Sequence, residues 1–280
     1  MTVFPIKAEM NPWGQPDGQP LLFLHANSYS AKMYRYFLEP LGKQYHILNP
    51  DLPGHGASSW NGRINDWEDL ADYYIAQLDR SPPVQPMIGM GHSIGGIIVM
   101  LMAIKRPMWF EKVILLDPVM LSRRILNAMR LLRLFSLTHI IPLARAASRR
   151  RNQFPTRDEA LQHYAKKAVF SRLRPQFLEA YVETCLREDN EGAFQLCCSP
   201  QLESSIYQSI PLNVWRLPSM LPPKALFMVG QYSDTITGRG LHRLQQSGGN
   251  HIVKSISAGH LFPFEKPEEA MDMVKEYLSI

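Results

Sequence analysis

Two hundred and eighty residues suit one large domain, or one domain carrying an inserted subdomain, and with 45% hydrophobic against 20% charged residues a sizeable core can be buried and global disorder is excluded. The longest unbroken apolar run, Ile97 to Ile104, falls far short of the roughly 20 residues needed to span a bilayer, so no transmembrane segment is expected. The net charge of +5 is unevenly spread: Val119 to Leu217 holds 15 Lys/Arg against 8 Asp/Glu, and the rest of the chain 15 against 17.

In chain order, short apolar runs alternate with helical patterns, the signature of parallel βαβ units. Pro20 to His25 reads as a buried strand, Ser30 to Leu41 as an amphipathic helix, and Tyr45 to Leu48 as a second strand closed by the turn-rich Asn49-Pro-Asp-Leu-Pro-Gly-His-Gly56. Trp67 to Leu78 is helical, with acids in its first turns that favour the positive end of the helix dipole. A strand is predicted over Val84 to Met90, a helix over Ile94 to Lys105 stopping before Pro107, and a strand over Val113 to Leu116.

From Met120 the period changes. Ser122 to Leu143, Arg157 to Phe170 and Arg174 to Arg187 are helical in pattern, with no clear strand between them. Strand signals resume at Ala225 to Val229 and at Ile252 to Ile256, and a last helix starts at Pro267, a suitable first helical residue, and runs through Leu278. An α/β sheet is thus interrupted by a helical insertion, with a core formed by residues 1–118 and 217–280 and the insertion by 119–216. The N-terminus has no basic start leading into a long apolar stretch, so no secretory signal peptide is expected. Three cysteines, Cys185, Cys197 and Cys198, are too few and too bunched for a disulfide framework and fit a reducing compartment, so a cytoplasmic protein is expected.

The sharpest chemical feature is Gly91-His-Ser-Ile-Gly95. It matches G-x-S-x-G and sits after a strand and at the opening of a helix, where that motif raises a nucleophilic serine on a strained turn. Ser93 is the expected nucleophile, and the backbone N–H of Ile94, at the helix N-terminus, can meet a developing oxyanion. A phosphate-binding alternative fails: Ile94 stands where the third glycine of a dinucleotide fingerprint belongs, and no G-x-x-x-x-G-K-[ST] is present. A serine hydroxyl needs a base, itself oriented by an acid. His260 is the expected base, on the loop between the last strand and the last helix, at the same sheet edge as Ser93. His46, inside a strand, reads as a core histidine, and His25 and His92 as residues that shape the loops around the site. For the acid, Asp234 in Gly230-Gln-Tyr-Ser-Asp is favoured, because the order Ser, Asp, His is that of the hydrolase elbow arrangement; Asp117, at the end of the Val113 to Leu116 strand, is its rival.

Leu24-His-Ala-Asn27, Asp51 to Gly56, the serine elbow, Gly230 to Asp234 and Gly259-His260 together make the chain resemble, over almost its full length, an α/β-hydrolase with a helical cap. The resemblance implies a mostly parallel sheet flanked by helices, the cap being the insertion. It also implies that the amide of Asn27 is the second oxyanion donor, Ala26 replacing the family's usual glycine before it. The Leu24 to Asn27 loop is similar to the His-Gly-Asn-Pro of haloalkane dehalogenases, but those use an aspartate nucleophile, and Ser93 argues against that chemistry.

The expected activity is that of a serine hydrolase acting by acyl transfer on a carboxylic ester or a related thioester or lactone, with no cofactor and no metal. Two rivals remain: hydrolysis of a carbon–carbon bond in a diketone-like substrate, and a ligand-binding receptor that keeps the triad. The expected partner is a small molecule with an apolar acyl part, which Met120, Met129, Leu131, Leu132, Leu134 and Phe135 could line, and the basic insertion would suit an anionic one. The arginines follow no helix-turn-helix, RNA-recognition or zinc-finger pattern, so no nucleic-acid partner is expected, and a monomer or homodimer is.

Overall fold

The computed structural model describes residues 9–60, 62–221, 224–247 and 251–279; the first eight residues, part of the stretch from which the absence of a signal peptide was expected, lie outside them. A seven-stranded sheet forms the centre. In chain order its strands are β1 (Pro12–Gly14), β2 (Gln19–Leu24), β3 (Tyr45–Leu48), β4 (Met87–His92), β5 (Phe110–Leu116), β9 (Lys224–Gly230) and β10 (His251–Ile256). In space they run β1-β3-β2-β4-β5-β9-β10, all pairs parallel except the antiparallel edge pair of β1 with β3. No strand was expected at β1, whose three residues begin with a proline, a residue tolerated on an edge strand because one side of the ladder is unpaired there.

The pleat divides each strand between two apolar layers. Leu22, Leu24, Val113, Leu115, Phe227 and Val229 face one layer, built with α2 (Trp67–Leu78) and α3 (Ile94–Lys105). Leu21, Phe23, Ile114, Leu116, Leu226 and Met228 face the other, built with α1 (Ala31–Leu38) and α11 (Pro267–Leu278). Coverage on both faces explains why the parallel strands read as continuous apolar runs. The predicted bounds of β3, α2 and α3 match those observed, whereas β4 starts three residues later than predicted, because Val84 is 97% exposed and belongs to the loop. Polar side chains cap the helix starts: the Ser30 side chain accepts from Met33 N–H at α1, and that of Asp66 from Glu68 N–H at α2.

Between the neighbouring strands β5 and β9 the chain leaves the sheet. This excursion contains α4 (Arg123–Leu134), α5 (Pro142–Ser148), α6 (Arg157–Ala165), α7 (Pro175–Cys185) and α8 (Pro200–Gln208), together with β6 (Gln153–Phe154), β7 (Leu186–Glu188) and β8 (Phe194–Leu196). These three strands form a separate antiparallel sheet in the order β6-β8-β7, where no strand was expected. They are two or three residues long, too short for a period-2 pattern to register. The single helix expected over Ser122 to Leu143 is two, because Ser136 adopts φ 56° and Pro142 opens α5. After β9 come α9 (Gly238–Gln245) and α10 (Phe262–Glu265). Among the described residues no helix is long and apolar enough to cross a membrane.

Candidate active site

The order β2-β4-β5-β9-β10 sets the carboxyl ends of five parallel strands side by side, and the loops leaving them form the site. Ser93 lies between the end of β4 and the start of α3 with φ 58° and ψ −121°, the strained turn expected of it. The flanking glycines are sterically required. A Cβ on Gly91 would lie 2.4 Å from the Gly95 carbonyl, and one on Gly95 would lie 2.1 Å from the Leu24 oxygen. Ile94 is the first residue of α3, so its N–H has no acceptor within the helix.

His260, carried by the loop after β10, holds its Nε2 3.0 Å from Ser93 Oγ. Its Nδ1 lies 2.6 Å from Oδ2 of Asp117, not of Asp234. The expectation that favoured Asp234 is corrected on this point: Asp234 is exposed at the rim of the cavity, while Asp117 is fully buried at the end of β5, between β4 and β9. What the loop after β9 supplies is donors for that acid. Ser233 Oγ and Thr235 Oγ1 each donate to Asp117 Oδ2 over 2.5 Å, and Gly230 N–H donates to Oδ1 over 2.9 Å. Burial pushes the Asp117 carboxyl upwards, but the His260 imidazole and these hydroxyls outweigh it and hold the carboxyl below its usual range. Asp117 also takes φ 41°, a conformation that aspartate tolerates better than most residues.

His25 and His92 are both fully buried and tie loops together. His25 Nε2 accepts from Leu52 N–H over 2.8 Å while its Nδ1–H donates to the Ala26 carbonyl, joining the loop after β2 to the loop after β3. His92 Nε2–H donates to the backbone carbonyl of His260 over 2.8 Å, and its Nδ1 accepts from Tyr34 O–H. Asp51 braces the start of α1, one carboxylate oxygen accepting from Ala31 N–H and the other from Ala57 N–H. Asn27 sits above the elbow with its side chain held between His55 and the carbonyl of Glu203. The left-handed residue of this loop is Ser28, with φ 67°, so alanine at position 26 meets no backbone strain. His46, expected in the core, is half-buried in β3.

A cavity of about 580 Å³ opens over these residues, bounded below by Asn27, Ser93 and His260 and above by the excursion. Of the six side chains expected to line it, Met129 does so. Met120 is buried in the core, Leu132 is half-buried against it, and Leu131, Leu134 and Phe135 face outward, because α4 turns the edge that carries Ile125, Leu126 and Met129 inward. Sequence reasoning missed the cavity's polar wall. Arg150 Nη1 donates to Glu203 Oε2 over 2.9 Å and Nη2 donates to the Tyr181 hydroxyl, with the guanidinium 5.2 Å from the ring centre of Tyr164. Nothing local separates Arg150 from its neighbours Arg149 and Arg151, which are exposed. Among the described residues no group of three or more His, Cys, Asp or Glu could hold a metal ion.

The family model described as "Alpha/beta hydrolase family" matches residues 21–272. A curated relative, the (E)-2-((N-methylformamido)methylene)succinate hydrolase of Acinetobacter baylyi, is 28% identical over 105 residues, 38% of this chain and 40% of that protein; the match therefore spans about two fifths of the relative's length. Among solved structures, an E-2-(acetamidomethylene)succinate hydrolase aligns with a TM-score of 0.80 at 16% identity, over 96% of this chain and 94% of that one. An esterase from Mycobacterium tuberculosis aligns with a TM-score of 0.75 at 18% identity, over 100% of this chain and 90% of that one. At such identities the structural likeness concerns the fold.

Proposed function

The chain belongs to the alpha/beta hydrolase family, and from that premise we propose that it is a serine hydrolase that cleaves a carboxylic ester, or a related thioester or lactone, by acyl transfer. The observation that carries this reading is the continuous line of hydrogen bonds Ser93–His260–Asp117 at the floor of the cavity. Ser93 Oγ attacks the carbonyl carbon as His260 Nε2 takes its proton, and Asp117 holds the imidazole in the required tautomer and stabilises the imidazolium that forms. The negative charge that develops on the carbonyl oxygen meets the N–H groups of Ile94 and Asn27. As the tetrahedral intermediate collapses, His260 returns the proton to the leaving oxygen or sulfur. A water molecule, deprotonated by the same nitrogen, then releases the acyl group from Ser93.

The names of two similar proteins support a second reading, hydrolysis of an amidomethylene succinate. The charges around the cavity argue against such a doubly anionic substrate. Arg150 in the wall is already paired with Glu203, and Asp234 adds a further negative charge at the rim. Labelling with a fluorophosphonate and turnover of a panel of p-nitrophenyl esters tests the proposal. Labelling at Ser93, lost in Ser93→Ala, with Ser93-dependent ester turnover is the expected result; labelling without turnover of any ester would move the reading to the amide, carbon–carbon or receptor alternatives.

A further inference from the structure

Seven of the fourteen large hydrophobic side chains that stand exposed among the described residues fall between positions 125 and 143. They include Leu131, Leu134 and Phe135 on the outer side of α4, which are 59%, 75% and 67% exposed. The stretch 119–157 that contains them carries nine arginines and no lysine, aspartate or glutamate, while the rest of the chain has 21 Lys/Arg against 25 Asp/Glu. Among the described residues, Arg123, Arg124, Arg130, Arg145 and Arg149 are exposed and none has an acidic partner within ion-pair distance. Scattered single apolar residues need no explanation, but such a concentration marks a surface that something covers. Apolar side chains set among unpaired arginines fit a lipid surface better than an acidic protein, because a bilayer offers acyl chains and anionic headgroups together.

The surface is continuous with the cavity. Ile125 and Leu143, which are 45% and 50% exposed, also line the space above Ser93. We propose that the outer face of α4, the turn Thr138–Ile140 and the start of α5 dock onto an anionic phospholipid bilayer with the mouth of the cavity turned towards it. In that position, and resting on the acyl-transfer reading above, the substrate is an amphipathic ester that enters the cavity from the lipid.

The test is flotation of the purified protein with vesicles of phosphatidylcholine alone and with 30% phosphatidylserine. The wild-type protein should float with the phosphatidylserine vesicles at 0.1 M salt, far less with phosphatidylcholine alone, and less again at 1 M salt, where screening reduces the reach of charge from about 10 Å to about 3 Å. Each arginine near such a surface is worth about five-fold in binding, so Arg123→Gln/Arg124→Gln/Arg130→Gln should weaken flotation about 100-fold. The exposed triple change Leu131→Ser/Leu134→Ser/Phe135→Ser should weaken it at least ten-fold. That variant should hydrolyse a soluble butyrate ester as the wild type does, while losing turnover of a long-chain ester carried in the vesicles. Wild-type protein that ignores phosphatidylserine vesicles, or triple variants that float equally well, would overturn the docking surface. So would a wild-type dimer in sedimentation that the serine variant dissolves, since it assigns the face to a second copy of the chain. Flotation with no ester turnover by the wild type would instead sink the acyl-transfer reading and leave the surface standing.

Discussion

Asp117 Oδ2 lies 2.6 Å from His260 Nδ1, on a carboxylate that leaves the strand next to the one that delivers Ser93. The rival carboxylate, Asp234, is exposed and has no hydrogen bond to the imidazole. Losing the acid of such a relay lets the histidine adopt the wrong tautomer and costs about 10⁴ in turnover. Asp117→Asn should therefore lower kcat by about 10³ to 10⁴, while Asp234→Asn should change it less than about ten-fold. Steady-state kinetics on a p-nitrophenyl ester decides the matter, and the reverse order of the two effects would return the acid to the loop after β9.

The elbow, its base and the sheet were legible because each depends on a local pattern: glycines two residues either side of Ser93, a histidine just after a strand, apolar runs of strand length. Choosing between Asp117 and Asp234 was not local. Both follow a strand, and what separates them is that Ser233 and Thr235 turn inward as donors while Asp234 between them turns out. The loop after β9 serves the acid instead of being the acid. Within the stretch between β5 and β9, α6 and α7 were visible through their period, whereas β6, β7 and β8 were too short to register and the Arg150–Glu203 pair joins positions 53 residues apart. A buried charge in an arginine run leaves no trace in the sequence until its partner is folded against it.

His92 acts on the site through His260, by donating to that residue's backbone carbonyl while Tyr34 holds its other nitrogen. Misplacing a catalytic group by about 1 Å can cost about 100-fold in rate. His92→Ala should lower kcat by about 10- to 100-fold with KM little changed, and His92→Gln, which keeps a donor, should recover part of the loss. A fall in melting temperature without this split between kcat and KM would reduce His92 to a packing residue.

The Arg150–Glu203 pair is mostly removed from water, with side-chain exposures of 18% and 8%. Removing one member of a buried pair leaves the other charge uncompensated, at a cost of about 3–5 kcal/mol, whereas replacing both with apolar residues is often neutral or stabilising. Arg150→Met should thus lower the unfolding free energy by about 3 kcal/mol, and Arg150→Met/Glu203→Met should restore most of it. Urea titrations of the two variants check this. If the double variant is no more stable than the single one, the two charges do not compensate each other.

Three fully buried histidines make stability depend on pH. Burial lowers His25 to about 4 and lowers His55 and His92 to about 3, so each stays neutral in the folded chain where the unfolded chain already takes up a proton. Each has a folded value below its unfolded value of 6.5. The contribution is therefore complete above pH 6.5 and is lost as the pH falls towards 4 and 3. Within that window each histidine tilts the unfolding free energy by up to about 1.4 kcal/mol per pH unit, and the three together by up to about 4. Asp117 belongs to a different window. Its depressed carboxyl contributes above the ordinary aspartate value of about 3.9 and is lost only below it, so Asp117 does not account for a decline between pH 6.5 and 4, and Asp51, whose carboxyl burial pushes up, acts in the opposite sense. Urea midpoints measured at pH 7.5, 6.0 and 5.0 should fall steeply across the last two points, and His92→Gln should make the fall shallower by about a third. A midpoint that stays flat down to pH 5 would mean that these rings find a way to charge without unfolding the loops they hold.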